Sequence, residues 1–265
     1  MPENILETIA AAARVRTSKK LETVSLEKIK SAAMSLVEDE DFPFEDALKK
    51  DGVSFICECK KASPSKGLIA PDFPYVEIAA EYENAGADCI SVLTEPNWFL
   101  GSEEYLREIA AEVSIPCLRK DFLTDEYMIY EAKTLGASAV LLICSILDKN
   151  TLKEYIKICD SLKLSALVEA HDASEIECAI DAGARIIGVN NRNLKDFSVD
   201  TGNSGRLREL VPGNILFVAE SGIKSREDVA ELENAGVDAV LVGETLMRAS
   251  NKKKMLCELK GISYE

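Results

Sequence analysis

The chain has 265 residues, with 31 Lys and Arg against 46 Asp and Glu, for a formal net charge of -15. That surplus argues against nucleic acid or an anionic membrane surface as the main partner, because phosphates attract basic side chains. No run approaches the roughly 20 apolar residues of a membrane helix. A composition of 47% hydrophobic and 29% charged residues suits a soluble globular protein able to bury a substantial core, so a small molecule is the expected partner. The opening MPENILETIAAAARVRTSKK has early acids and only a short apolar stretch, unlike a secretory signal. Eight cysteines sit mostly in apolar segments, form no C-x-x-C pair and are accompanied by a single histidine, His171. They read as buried, reduced thiols of a cytoplasmic protein rather than as metal ligands, so no metal is expected.

In chain order, residues 1–48 are helical in pattern and charge-rich, and read as an extension packed against a domain spanning 49–265. A first strand is expected over VSFICEC (53–59). Four echoes then punctuate the chain: NAGADCISVL (84–93), TLGASAVLLI (134–143), DAGARIIGVN (181–190) and NAGVDAVLVG (234–243). In each, a glycine suited to the left-handed end of a helix precedes a run that is apolar on both faces, as in a buried parallel strand. Gly86, Gly136, Gly183 and Gly236 are 50, 47 and 53 residues apart, room for two βα units per gap. The intermediate strands fall at 115–119, 164–168 and 214–219, with amphipathic helices over 73–85, 102–112, 124–135, 148–162, 172–182 and 225–235. Ser102, Thr124, Asp148, Asp172 and Ser225 are the expected caps. Eight strands alternating with eight helices predict a closed (β/α)8 TIM barrel; a doubly wound open sheet is the runner-up.

In such a barrel the strands' C-terminal ends converge on one mouth. Those ends carry Glu58 and Lys60, Thr94 and Glu95, Lys120 and Asp121, Glu169, Asn190 with Arg192, Glu220 and Ser221, and Gly243. On the first strand Ile56, Glu58 and Lys60 share one face and Cys57 and Cys59 the other, so cysteines against the helices put Glu58 and Lys60 in the mouth. Carboxylates and ammoniums gathered there can serve as acid and base partners. AESGI (219–223) and VGETL (242–246) suggest phosphate binding on backbone N–H groups after strands seven and eight. Trp98 and Phe99, after strand two, suit the wall of an aromatic ligand site. His171, alone and without a nucleophile motif, suggests no catalytic triad.

ECKKASPSKG (58–67), LTEPNWFLGSEEYL (93–106), PCLRKDFL (116–123), ALVEAHD (166–172), GVNNRNL (188–194), AESGI and VLVGETLM (240–247) together resemble the indole-3-glycerol phosphate synthase family of tryptophan biosynthesis. The resemblance implies a carbon–carbon lyase that converts 1-(o-carboxyphenylamino)-1-deoxyribulose 5-phosphate to indole-3-glycerol phosphate, losing carbon dioxide and water, with no cofactor. It implies Lys120 as general acid on the substrate carbonyl and Lys60 as the lysine that meets the substrate carboxylate and also takes part in proton transfer. Glu169 becomes the acid–base group of the later steps, assisted by Glu58 and Asn190. Ser63, Ser221, Gly222, Gly243 and the Glu244 amide match the phosphate end, with Glu220 beside them. Phe99, Arg192 and Leu141 match the walls around the anthranilate part. Two physical expectations accompany this assignment: mutual repulsion of the two lysines eases proton release, and the Glu244 side chain turns away to solvent. A sister barrel of the phosphoribosylanthranilate isomerase kind, or a non-catalytic barrel binding a phosphorylated ligand, are the alternatives. The expected state is a monomer or weak homo-oligomer.

Overall fold

A computed structural model describes residues 5–37, 42–193 and 197–264. Residues 1–4 and 38–41 of the N-terminal extension, and Leu194 of the GVNNRNL stretch, lie outside the described residues. Before the first strand come helices α1 (Ile5–Leu21), α2 (Leu26–Met34) and α3 (Pro43–Leu48). The strands are β1 (Ser54–Cys59), β2 (Cys89–Leu93), β3 (Cys117–Lys120), β4 (Ala139–Ile143), β5 (Ser165–Ala170), β6 (Ile186–Asn190), β7 (Leu216–Glu220) and β8 (Ala239–Val242). Each pairs in parallel with the next, and β8 closes on β1 with Ser54 opposite Ala239, so the sheet is a closed barrel and not an open doubly wound sheet. Helices α4 (Tyr75–Asn84), α5 (Glu103–Glu112), α6 (Glu126–Thr134), α7 (Lys149–Ser161), α8 (Ala173–Ala182), α9 (Gly202–Arg208), α10 (Arg226–Asn234), α11 (Glu244–Arg248) and α12 (Lys252–Lys260) follow the strands. A short antiparallel hairpin pairs Ala62–Ser63 with Gly67–Leu68 after β1.

The repeated glycines do what their spacing implies: Gly86, Gly136, Gly183 and Gly236 all have φ between 77° and 94°, where a side chain is penalised. In two of the echoes the aspartate that follows ties the unit to its neighbour, since Asp88 accepts from the Phe55 amide and Asp238 from the Phe217 amide. Ser102, Asp148, Asp172 and Ser225 cap their helices, Ser225 reciprocally with Asp228. The sixth helix departs by one residue: Asp125, not Thr124, accepts from the Tyr127 amide, while the Thr124 hydroxyl is buried without a partner among the described residues. A carboxylate is the stronger acceptor for amides at the positive end of a helix.

Side chains alternate as the pleat demands. Cys57, Cys59, Val92, Val140, Val168 and Phe217 pack outward against the helices, whereas Ile56, Leu118, Leu141, Leu167, Val218 and Leu241 fill the barrel. The extension closes both ends. Phe44 and Leu48 of α3 join the bottom of the barrel core, where Arg185 grips Glu45, and Leu6, Ile9 and Ala13 of α1 join it from the opposite end.

Candidate active site

The strand ends enclose a cavity of about 440 Å³ in the barrel mouth. One wall carries Glu58 on β1 and Lys60 just beyond it, paired at 2.5 Å, with the Ser91 hydroxyl donating to the other Glu58 oxygen at 3.3 Å. The facing wall carries Lys120, 3.3 Å from Glu220 and 3.8 Å from Glu169, and both carboxylates are almost fully buried. Asn190 completes this set, its side-chain Oδ1 accepting from the Arg192 amide. Lys120, Glu169 and Glu220 do not follow their strands but occupy the final inward-facing positions, because β3, β5 and β7 run on to Lys120, Ala170 and Glu220.

Electrostatics sort the groups. Burial works against the charge on Glu58, and Lys60 and Lys120 outweigh it, so its acidity is increased. Glu220 is pushed up to about 7 by burial and by the nearby Glu169 and Glu58, against the pull of Lys120. Burial also disfavours the Lys120 ammonium, yet Glu220, Glu169 and Glu58 more than compensate and hold its proton more tightly than usual. The expected easing of proton release by repulsion between lysines is therefore corrected for Lys120, because three carboxylates lie around it. Space for the Glu220 carboxylate comes from Gly188: a Cβ there would stand 2.4 Å from Glu220 Oε1.

Ser63, Ser221, Gly222, Gly243 and Glu244 also line the cavity. Ser221 and Gly222 both have positive φ, 68° and 86°. For a serine that conformation costs roughly 1–2 kcal/mol, strain of the kind that collects at ligand-binding turns. Gly243 has φ of -118°, and its role is spatial, since a Cβ would meet Glu58 Oε1 at 2.6 Å and Lys60 Nζ at 3.2 Å. The Glu244 side chain does not turn freely to solvent. It faces Arg248 at 3.1 Å, Lys66 at 3.5 Å and Arg192 at 3.8 Å, and Arg248 and Lys66 overcome partial burial to hold its carboxyl below the usual range. A carboxylate beside three cations is drawn inward to the rim.

Phe99, Leu141 and Arg192 line the remaining walls, so each residue to which the family resemblance gives a role borders this one cavity. Phe99 is set by Glu95, which accepts from the amides of Asn97, Trp98 and Phe99, and by Phe122, whose ring centre lies 6.0 Å away. Thr94 and Glu95 point elsewhere: the Thr94 hydroxyl donates to Asp121 and Glu95 organises the loop after β2, so neither lines the cavity. Trp98 packs against the barrel core rather than forming the cavity wall. Sequence reasoning missed Ile5, Leu6 and Ile9 of α1, which roof the mouth, and Lys224 and Arg248 near Gly222 and Glu244. The helical pattern of the extension was visible in the sequence, but nothing local says where α1 docks. Its anchor is Arg16, which forks onto both oxygens of Asp121 at 2.7 and 2.8 Å.

Among the described residues no group of three or more His, Cys, Asp or Glu is arranged to hold a metal ion, and no helix is long and apolar enough to cross a membrane. The barrel resembles 3-hexulose-6-phosphate synthase from Salmonella typhimurium, with a TM-score of 0.65 at 14% identity over 79% of this chain and 97% of that one, a likeness of fold alone. Sequence relatives are much nearer. An indole-3-glycerol phosphate synthase of Ruminiclostridium cellulolyticum is 57% identical over 97% of this chain and 99% of its own length. One of Endomicrobium trichonymphae is 54% identical with the same coverage. The sequence profile of indole-3-glycerol phosphate synthase matches residues 6–259, from the helix that roofs the mouth to the last helix of the barrel. The chain belongs to the indole-3-glycerol phosphate synthase family.

Proposed function

We propose that the cavity closes the indole ring of 1-(o-carboxyphenylamino)-1-deoxyribulose 5-phosphate, giving indole-3-glycerol phosphate, carbon dioxide and water. The observation that carries this reading is the opposition of two ion clusters across one cavity, Lys60 with Glu58 and Lys120 with Glu169 and Glu220. Ring closure needs a proton delivered to the substrate carbonyl oxygen while an aromatic ring carbon attacks the carbonyl carbon. Lys120, whose proton is held by its carboxylate neighbours until substrate arrives, is the donor. Lys60 meets the carboxylate on that ring carbon, which leaves as carbon dioxide and restores the aromatic ring. Glu169 then serves the loss of water as acid and base, with Glu58 and Asn190 orienting substrate and water. Ser63, Ser221, Gly222 and the amides after Gly243 receive the phosphate, helped by the cations at the rim. Phe99, Leu141 and Arg192 hold the anthranilate ring.

The segment through residue 48 acts as an extension of a single barrel domain, supported by its packing on both barrel ends. A cytoplasmic site of action is supported by eight free cysteines, most of them buried in the core. Mixing purified protein with the carboxyphenylamino substrate should produce indole fluorescence at a rate proportional to enzyme. Tight binding without product at any pH would instead support the non-catalytic barrel.

A further inference from the structure

Behind Glu169 lies a second cavity of about 620 Å³, lined by polar groups and sharing Leu6 and Asn190 with the mouth. His171 stands between the two. Its Nε2 is buried, has no hydrogen-bond partner among the described residues, and lies 3.6 Å from Glu169 Oε1. Its Nδ1 lies 3.1 Å from Glu175 Oε2 on α8, and the same carboxylate oxygen accepts from the His171 amide at 2.8 Å. Ser145 donates to the other Glu175 oxygen at 2.5 Å, and Asn203 holds the His171 carbonyl at 3.3 Å. An imidazole pinned by its backbone, by Glu175 and by its own carbonyl has little freedom to turn from Glu169.

We propose that His171 is a positioning residue that acts through Glu169: held by Glu175, it presents a protonatable nitrogen to the catalytic carboxylate and sets the charge state in which that carboxylate works. This rests on the acid–base role given to Glu169 above. The groups facing the imidazole are predominantly acidic: Glu169 from β5, Glu175 and Asp172 from α8, Glu220 from β7 and, across the second cavity, Asp200. Lys120 lies 3.8 Å from the other oxygen of Glu169. Burial disfavours the imidazolium, but the Glu175 hydrogen bond and the charges of Glu169 and Glu175 outweigh it, raising the histidine above its ordinary value. The cation is therefore favoured in the fold, and its contribution is present at low pH and lost as pH rises through the folded value.

Because the chain has one histidine, NMR can titrate it without assignment ambiguity. In the intact protein its midpoint should lie above 6.5, and Glu169→Gln should lower that midpoint. In turnover, His171→Asn should move the acid limb of the kcat profile up by about one pH unit, because a cation beside a carboxylate favours its charged form. On that limb the rate falls about tenfold, one unit being one decade. Glu175→Gln should move the limb the same way by less. A purely structural role would lower the plateau and leave the limb in place. An unmoved limb in His171→Asn, or a histidine midpoint indifferent to Glu169→Gln, overturns the proposal. Failure of the wild-type chain to make product would defeat the functional reading, while the NMR titration would still decide the coupling.

Discussion

Arg119 and Lys120 are neighbours on β3, and the pleat sends one outward and the other into the barrel. Arg119 is fully buried and its guanidinium is saturated: it donates to Thr94, to the Met128 carbonyl, and to Glu131 and Glu103, with Asp121 at 3.5 Å. Lys20 of α1 reaches both Glu103 and Glu131, and Arg16 reaches Asp121, so the cluster also fastens the roof of the mouth. Lys120 is held by Glu220 and Glu169, but it borders an open cavity, and Glu220 Oε1 has no hydrogen-bond partner among the described residues. The outward cluster is a closed set of charges around a group that does not release its proton. The inward cluster surrounds a lysine, which can, and keeps hydrogen-bonding capacity for a ligand. Adjacent residues of one strand thus separate holding the fold from performing the chemistry.

The largest expected effect on activity is at Lys120. Lys120→Met should lower kcat by roughly 10²- to 10⁴-fold, the usual worth of general acid catalysis, with a cooperative thermal transition retained. A loss under tenfold would remove the distinction drawn between the neighbours. Arg119→Met reverses the pattern. It strands buried carboxylates and should cost about 3–5 kcal/mol in denaturant unfolding, while the molecules still folded keep kcat within about tenfold. If instead stability holds and turnover collapses, the outward cluster belongs to the chemistry.

Gly243→Val tests how tightly the inward cluster is set. Its Cβ would fall 2.6 Å from Glu58 Oε1, so Glu58 and Lys60 must shift. A displacement of about 1 Å can cost 10²-fold, and the variant should lose kcat as well as affinity. Loss of affinity alone would mean that the glycine serves only the phosphate.

A smaller effect should follow pH. Glu220, at about 7 in the fold, prefers its neutral form there, so its favourable contribution exists below the unfolded carboxylate range and fades as pH rises toward 7. Glu220→Gln stays neutral at every pH. Its melting temperature relative to the parent should therefore be higher at pH 8 than at pH 5, and an equal difference at both values would contradict the burial argument. The smallest effect belongs to Glu244→Ala. Freeing Arg248, Lys66 and Arg192 from a partly exposed carboxylate should lower KM by no more than about fivefold, the range of exposed ion pairs. A rise in KM would show that the side chain assists binding.

The glycine-punctuated echoes and the two-faced apolar runs determined the barrel, because helix ends and buried parallel strands impose local rules that residues obey wherever they stand. The pleat likewise determined that Glu58 and Lys60 share a face opposite Cys57 and Cys59. Strand ends gave the ionisable set, and the resemblance to a family gave roles to its members. What local pattern did not separate was Thr94 and Glu95 from Glu58 and Lys120, since all are polar groups at strand ends. Only the tertiary fold turned the first pair toward loop and Asp121 and the second into the mouth. It also decided the docking of α1, the capture of Glu244 by three cations and the approach of His171 to Glu169, each set by contacts between segments far apart in the chain. Charge states followed the same division: a residue's type sets its ordinary value, but burial and neighbours brought by the closing barrel raised Glu220 and held the proton on Lys120.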